Sequence, residues 1–100
     1  MQSGATRKRS ASDYLVVYDI SSDDERNRVD SLLKGYGFRI QKSVFECRLT
    51  RAMRSELTQR LETMSVQTGF IRIYRVDHSA RIINIGTDVP GKDDGYAFIV

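Results

Sequence analysis

Cysteine, histidine and proline each occur once in this 100-residue chain, and no apolar run is long enough to span a bilayer. The lone Cys47 excludes an intrachain disulfide and reads as a small buried apolar group. With no secretory apolar segment and nothing approaching the roughly 20 apolar residues of a spanning helix, the expected location is the cytoplasm. The sole histidine, His78, falls in a turn-like stretch, so no imidazole stands ready to activate a serine and no general base is evident. Pro90 belongs with Gly91, Asp93, Asp94 and Gly95 to one loop-forming segment. Internal repeats and a low-complexity core are missing. So is the Lys/Arg-Gly-Phe/Tyr-Gly/Ala-Phe pattern of an RNA-recognition strand, which argues against that module.

What is present is one domain's worth of chain, small enough that much of its surface stays wet unless it oligomerises. Sixteen basic against thirteen acidic residues give a net charge of +3. That balance leans toward an anionic partner without being the composition of a protein that coats nucleic acid. The ends differ from the middle. Residues 1–13 read as a flexible basic arm around Arg7-Lys8-Arg9, and residues 87–100 as a loop followed by the apolar, strand-prone tail Tyr96–Val100. Such a tail is of the kind that adds to a sheet edge or binds another protein.

Between those ends the hydrophobic period alternates. Tyr14-Leu-Val-Val-Tyr-Asp19 is an apolar strand ending in a carboxylate. Ser22 followed by Glu25 predicts a capping box, and Val29, Leu32, Leu33 and Tyr36 recur at helical spacing until Gly35 and Gly37. Phe38 to Leu49 predicts two short strands joined near Lys42-Ser43. Thr50 caps a second helix whose stripe is Met53, Leu57, Leu61 and Met64, and Gly69 is expected in the loop after it. Phe70–Val76 and then Arg81–Gly86 complete the set as two further strands.

This order is that of an α+β, ferredoxin-like βαββαβ sandwich with an extra C-terminal strand, in which both helices cover one face of the sheet. Leu15 and Val17 point away from Tyr14, Val16 and Tyr18, so neither face of the first strand reads as solvated. The helices bury one face only. The other is expected to pack sheet to sheet on a second copy in a symmetric homodimer, and the strand at Ile82 to Ile85 to extend its own sheet or cross to the partner's. Asp19, at a strand rim, suits a hard cation or a phosphate. One carboxylate per chain is an incomplete Mg²⁺ site, and a two-fold axis supplies the second.

Four segments in order, Val16-Val-Tyr-Asp-Ile20, Arg26-Asn-Arg-Val29, Arg39-Ile-Gln-Lys-Ser-Val-Phe-Glu46 and Ile71-Arg-Ile-Tyr-Arg75, resemble the CRISPR-associated protein two family, the small subunit of the spacer-acquisition machinery. The resemblance spans Tyr14 to Gly86, the folded domain of residues 14–86. It implies a ferredoxin-like homodimer, a metal-dependent nuclease activity reported for some members, and a role holding prespacer DNA for the CRISPR integrase, CRISPR-associated protein one. The family's signature aspartate matches Asp19, with Tyr18 before it. Its helix arginines match Arg26 and Arg28, its second-strand arginine Arg39, and its Ser-Val-Phe motif Ser43 and Phe45. The basic leader is longer than the family's, so Arg7, Lys8 and Arg9 inherit nothing.

Two function classes emerge. In the first, a homodimeric scaffold binds duplex DNA through basic ridges formed by Arg51, Arg54, Arg72 and Arg75, and the integrase performs the chemistry. In the second, paired Asp19 side chains share one Mg²⁺ across the dimer axis and the protein is an endonuclease on DNA or single-stranded RNA, with Arg26 and Arg28 clamping phosphate oxygens. A toxin-like metal-dependent ribonuclease on the same fold, with no integrase partner, is the alternative. Structural readings stand beside these. Arg26 and Arg28 lie about 200° apart around a helix, Asp23 and Asp24 suit the helix dipole, Phe45 suits a core and Ser43 a strand junction.

Overall fold

The computed structural model describes residues 10–77 and 82–87. Strand β1, Ala11–Ile20, alternates so that Tyr14, Val16, Tyr18 and Ile20 all turn to one side, where they are buried. Helix α1, Asp23–Leu33, starts where the Ser22 hydroxyl accepts the Glu25 amide at 3.2 Å, and buries Glu25, Val29 and Leu33 at a spacing of four. Strands β2, Gly37–Gln41, and β3, Val44–Thr50, meet at the Lys42-Ser43 turn. Helix α2, Arg51–Met64, starts where the Thr50 hydroxyl accepts the Met53 amide at 3.2 Å, and strand β4, Gly69–Val76, comes after it. Each hydroxyl cap stabilises its helix by about 1 kcal/mol.

The four strands form one antiparallel sheet in the order β2-β3-β1-β4, the ferredoxin-like βαββαβ arrangement. Its core holds Tyr14, Val16, Tyr18 and Ile20 of β1 with Phe45, Cys47 and Leu49 of β3, closed by Val29 and Leu33 of α1 and Leu57 and Leu61 of α2. Tyr18 and Phe45 stack there, with ring centroids 6.4 Å apart. Burial pushes the Cys47 thiol up to about 12, so it is inert packing rather than a nucleophile. Cutting a fully buried leucine such as Leu33 or Leu57 to alanine costs about 2 to 5 kcal/mol.

Several boundaries differ from expectation, each for a physical reason. Strand β1 begins at Ala11 rather than Tyr14, because Leu49 and Arg48 on β3 present ladder partners to Ser12 and Asp13. Gly69 opens β4 instead of lying in a loop. It passes so close to β1 that a Cβ there would stand 1.8 Å from the Asp19 carbonyl oxygen. Met53, in the first turn of α2, is 37% exposed and lies off the buried stripe. The capping box is half formed: Ser22 accepts as expected, while the Glu25 side chain turns to Gln67 and Thr68.

The extra C-terminal strand is not formed over the described residues 82–87. A strand needs a ladder, and this segment meets none within the described residues. Ile82, Ile83 and Ile85 are 61%, 83% and 90% exposed. Met1–Arg9, His78, Arg81, the Pro90 loop and Tyr96–Val100 lie outside the described residues. Among the described residues, no helix is long and apolar enough to cross a membrane.

Candidate functional site

The helices leave one face of the sheet uncovered, and strand register assigns its side chains. Residues opposite one another in an antiparallel ladder share a face. Leu15 stands between Tyr74 and Glu46, with Phe38 opposite Glu46 on β2, and Val17 stands between Arg72 and Val44. Asp13 closes one end, in an ion pair with Arg48 at 3.2 Å. Asp19, opposite Phe70, closes the other. Phe70 and Tyr74, on the same face of β4, are 53% and 48% exposed. Glu46 lies among these apolar neighbours, and desolvation, with the nearby Asp13 as the lesser cause, raises its carboxyl above the usual range.

Asp19 is exposed on that face, at the rim of β1. Among the described residues no three His, Cys, Asp or Glu side chains form a metal-binding group. A single solvent-facing carboxylate has the donor chemistry of a hard cation and supplies one ligand per chain. Its chemistry fits one ligand of a hard, largely hydrated divalent cation and not a self-contained cage.

The other residues singled out by sequence divide by place. The Arg26 guanidinium is spent on the chain just beyond Asp19, donating to the Ile20 carbonyl at 2.7 Å, the Ser21 carbonyl at 3.4 Å and the Asp23 carboxylate. Arg28, on the far side of the helix, is exposed to solvent and electrostatically favours the ionised Glu25. Arg39 belongs to a clasp: it donates to the Lys42 carbonyl at 2.6 Å, pairs with Asp30 at 3.2 Å and lies 5.0 Å over the Phe45 ring. Tyr18 donates its hydroxyl to the same Asp30, and its pKa is raised by burial first and by that bond second. Ser43 contributes its carbonyl, accepting the Tyr18 amide at 3.1 Å, and Phe45 is wholly core. Tyr18, Arg39, Ser43 and Phe45 thus tie β1 to α1 and to the β2–β3 turn.

The four arginines assigned to basic ridges fall on different surfaces. Arg54 and Arg75 come together around an open groove of about 480 Å³ between α2 and β4, floored by Tyr14, Leu61, Ile71 and Ile73. Arg51 begins α2, where it is exposed. Arg72, opposite Val17, projects instead from the uncovered face, where it donates to the Tyr74 hydroxyl at 3.2 Å and lies 5.9 Å from that ring. Strand alternation puts residues three apart on opposite faces, a signal present in the sequence.

Sequence reasoning missed the part played by Glu25. Glu25 is 8% exposed, and its carboxylate accepts the Gln67 amide at 2.8 Å, the Thr68 amide at 3.0 Å and the Thr68 hydroxyl at 2.6 Å. The Thr68 hydroxyl in turn accepts the Ser22 amide at 2.9 Å, and the Thr68 carbonyl accepts the Ser21 amide at 3.0 Å. These bonds hold the Glu25 carboxyl below the usual carboxylate range, with the Thr68 hydroxyl the largest cause. The available signal was a local capping rule, which a partner 43 residues away overrides.

Comparison with known proteins places these features in context. The family model for CRISPR associated protein Cas2 matches residues 12–81. The chain is 41% identical over 91 residues to CRISPR-associated endoribonuclease Cas2 1 of Chloroflexus aurantiacus, covering 87% of this chain and 98% of that protein. It is 35% identical over 72 residues, 72% of this chain, to CRISPR-associated endoribonuclease Cas2 of Mycobacterium tuberculosis, and spans 64% of that relative's length. The crystal structure of hypothetical protein TT1823 from Thermus thermophilus superposes with a TM-score of 0.69 at 33% identity, covering 80% of this chain and 99% of that one.

Proposed function

The chain belongs to the CRISPR-associated protein Cas2 family, and from that premise we propose that it is an adaptation protein: a symmetric homodimer that binds prespacer duplex DNA together with the CRISPR integrase during spacer acquisition. The observation that carries this reading is the exposed Asp19 at the rim of an uncovered, largely apolar sheet face. A face bearing Leu15, Val17, Val44, Phe70 and Tyr74 gains most by meeting an equally apolar face, and a second copy supplies one.

The same geometry supports a Mg²⁺-dependent endonuclease activity at the paired Asp19 residues. Mg²⁺ held there supplies charge neutralisation at a scissile phosphate. The chain's own contribution is positional. Asp19 offers its carboxylate on the mating face, and Arg26 braces the strand end behind it by holding the Ile20 and Ser21 carbonyls. The curated relatives named as endoribonucleases favour RNA as the cleavage substrate. Duplex binding falls to the opposite side, where Arg54 and Arg75 flank the α2–β4 groove with Arg51 one turn before Arg54.

Asp19→Asn and Val17→Asp test the reading together. D19N is expected to abolish Mg²⁺-dependent hydrolysis of single-stranded RNA while leaving the dimer, duplex binding and integrase-dependent spacer integration intact. V17D is expected to yield a folded monomer that does neither job. Unchanged cleavage by D19N would remove Asp19 from the chemistry, and a dimeric V17D would remove the open face from the interface. Cleavage by the wild type with no effect of integrase or duplex would favour the toxin-like ribonuclease.

A further inference from the structure

Asp19 is the second-last residue of β1, and the backbone beyond the strand's end would fray unless something outside the ladder held it. Glu25 does so. Its two carboxylate oxygens accept three hydrogen bonds from Gln67 and Thr68, the two residues that lead into Gly69 and Phe70, the partners of Ile20 and Asp19. Thr68 passes the restraint on, receiving the Ser22 amide on its hydroxyl and the Ser21 amide on its carbonyl. Ser21 and Ser22 after the end of β1, and Gln67 and Thr68 before the start of β4, are therefore tied through the carboxylate of one buried residue. Gly69 closes the arrangement, since β4 runs too near the Asp19 carbonyl for any side chain at that point.

We propose that Glu25 is a positioning residue for Asp19: through Thr68 it fixes the end of β1 so that the Asp19 carboxylates of two protomers converge on one cation. This inference rests on reading Asp19 as a metal ligand. The carboxylate form is required at position 25. Every group that hydrogen-bonds it, the Gln67 amide, the Thr68 amide and the Thr68 hydroxyl, donates to it, and the Arg28 charge favours its ionised form, so a glutamine would present its own amide hydrogens to one of these donors. Two half-sites on separate chains must meet within a small tolerance, and loss of partners that orient a ligand costs about 10- to 100-fold in metal affinity.

The test is Mn²⁺ binding, monitored by electron paramagnetic resonance titration of the intact dimer, in wild type, Glu25→Gln, Thr68→Val and D19N, with thermal melts and sedimentation on each. Thr68→Val keeps the shape and removes the hydroxyl relay, so it carries the test if E25Q does not fold. E25Q and T68V are expected to remain dimeric and folded at the assay temperature and to bind Mn²⁺ about tenfold more weakly or worse, with D19N binding none. Folded, dimeric E25Q and T68V that bind Mn²⁺ as wild type does, beside a D19N that does not, would overturn the positioning role alone and leave Glu25 as a stabiliser of the loop. A D19N that binds Mn²⁺ normally would overturn the metal reading of Asp19 and this inference with it.

Discussion

Arg72 and Arg75, three residues apart on β4, project from opposite faces of the sheet: Arg72 lies over Tyr74 on the uncovered side, and Arg75 beside Arg54 in the groove under α2. A sequence count of arginines merges them; the pleat separates them.

That separation gives distinct expectations for DNA binding. Arg54→Ala and Arg75→Ala should each weaken binding of a short duplex and lower the magnitude of the salt slope by about one. Arg72→Ala should leave the slope unchanged, because a dimer formed through the open face keeps Arg72 from the duplex. Fluorescence anisotropy across a salt series reads all three.

Gly69 and Gly37 make the second expectation. A Cβ at Gly69 would meet the Asp19 carbonyl oxygen at 1.8 Å, and one at Gly37 the Glu46 carbonyl oxygen at 2.1 Å, backbone atoms with no rotamer to yield. Alanine at either position should destabilise the fold by about 1 to 3 kcal/mol or more, measured by urea unfolding. The Gly69 variant should also release β4 at its start.

The third concerns pH. The Glu25 carboxyl is depressed, chiefly by the Thr68 hydroxyl and then by the Gln67 amide. Its contribution to stability is complete above the ordinary glutamate value of about 4.3 and is lost as pH falls through the lower folded value. Wild-type unfolding free energy should decline on acidification below that point, and E25Q should show a shallower decline in the same series.

Much of the fold could be read in the sequence because period and caps agree with tertiary packing. Val29 and Leu33, Leu57 and Leu61, and the alternation from Tyr14 to Ile20 each place a buried face where the structure has it. The failures have one root, which is that side-chain and edge partners are set by the fold and not by neighbours in sequence. Ile82 to Ile85 has strand-forming residues and joins no ladder among the described residues, while Ala11 to Asp13 has weak ones and a waiting ladder. At the site, Asp19 was visible as a carboxylate at a strand end. That Arg26 would be taken up by strand-end carbonyls, Arg39 by Asp30, and Glu25 by Thr68 depends on contacts across 5 to 43 residues that no spacing rule encodes.

The central claim is that two copies meet through the open sheet face and bring their Asp19 residues together. Dipolar electron paramagnetic resonance on Asp19→Cys, spin-labelled in a chain whose only other cysteine, Cys47, is wholly buried, measures it directly. A dimer giving one narrow distribution at the short end of the measurable range is the expected result. A monomer without dipolar coupling, or a dimer whose labels lie on remote surfaces, would contradict it.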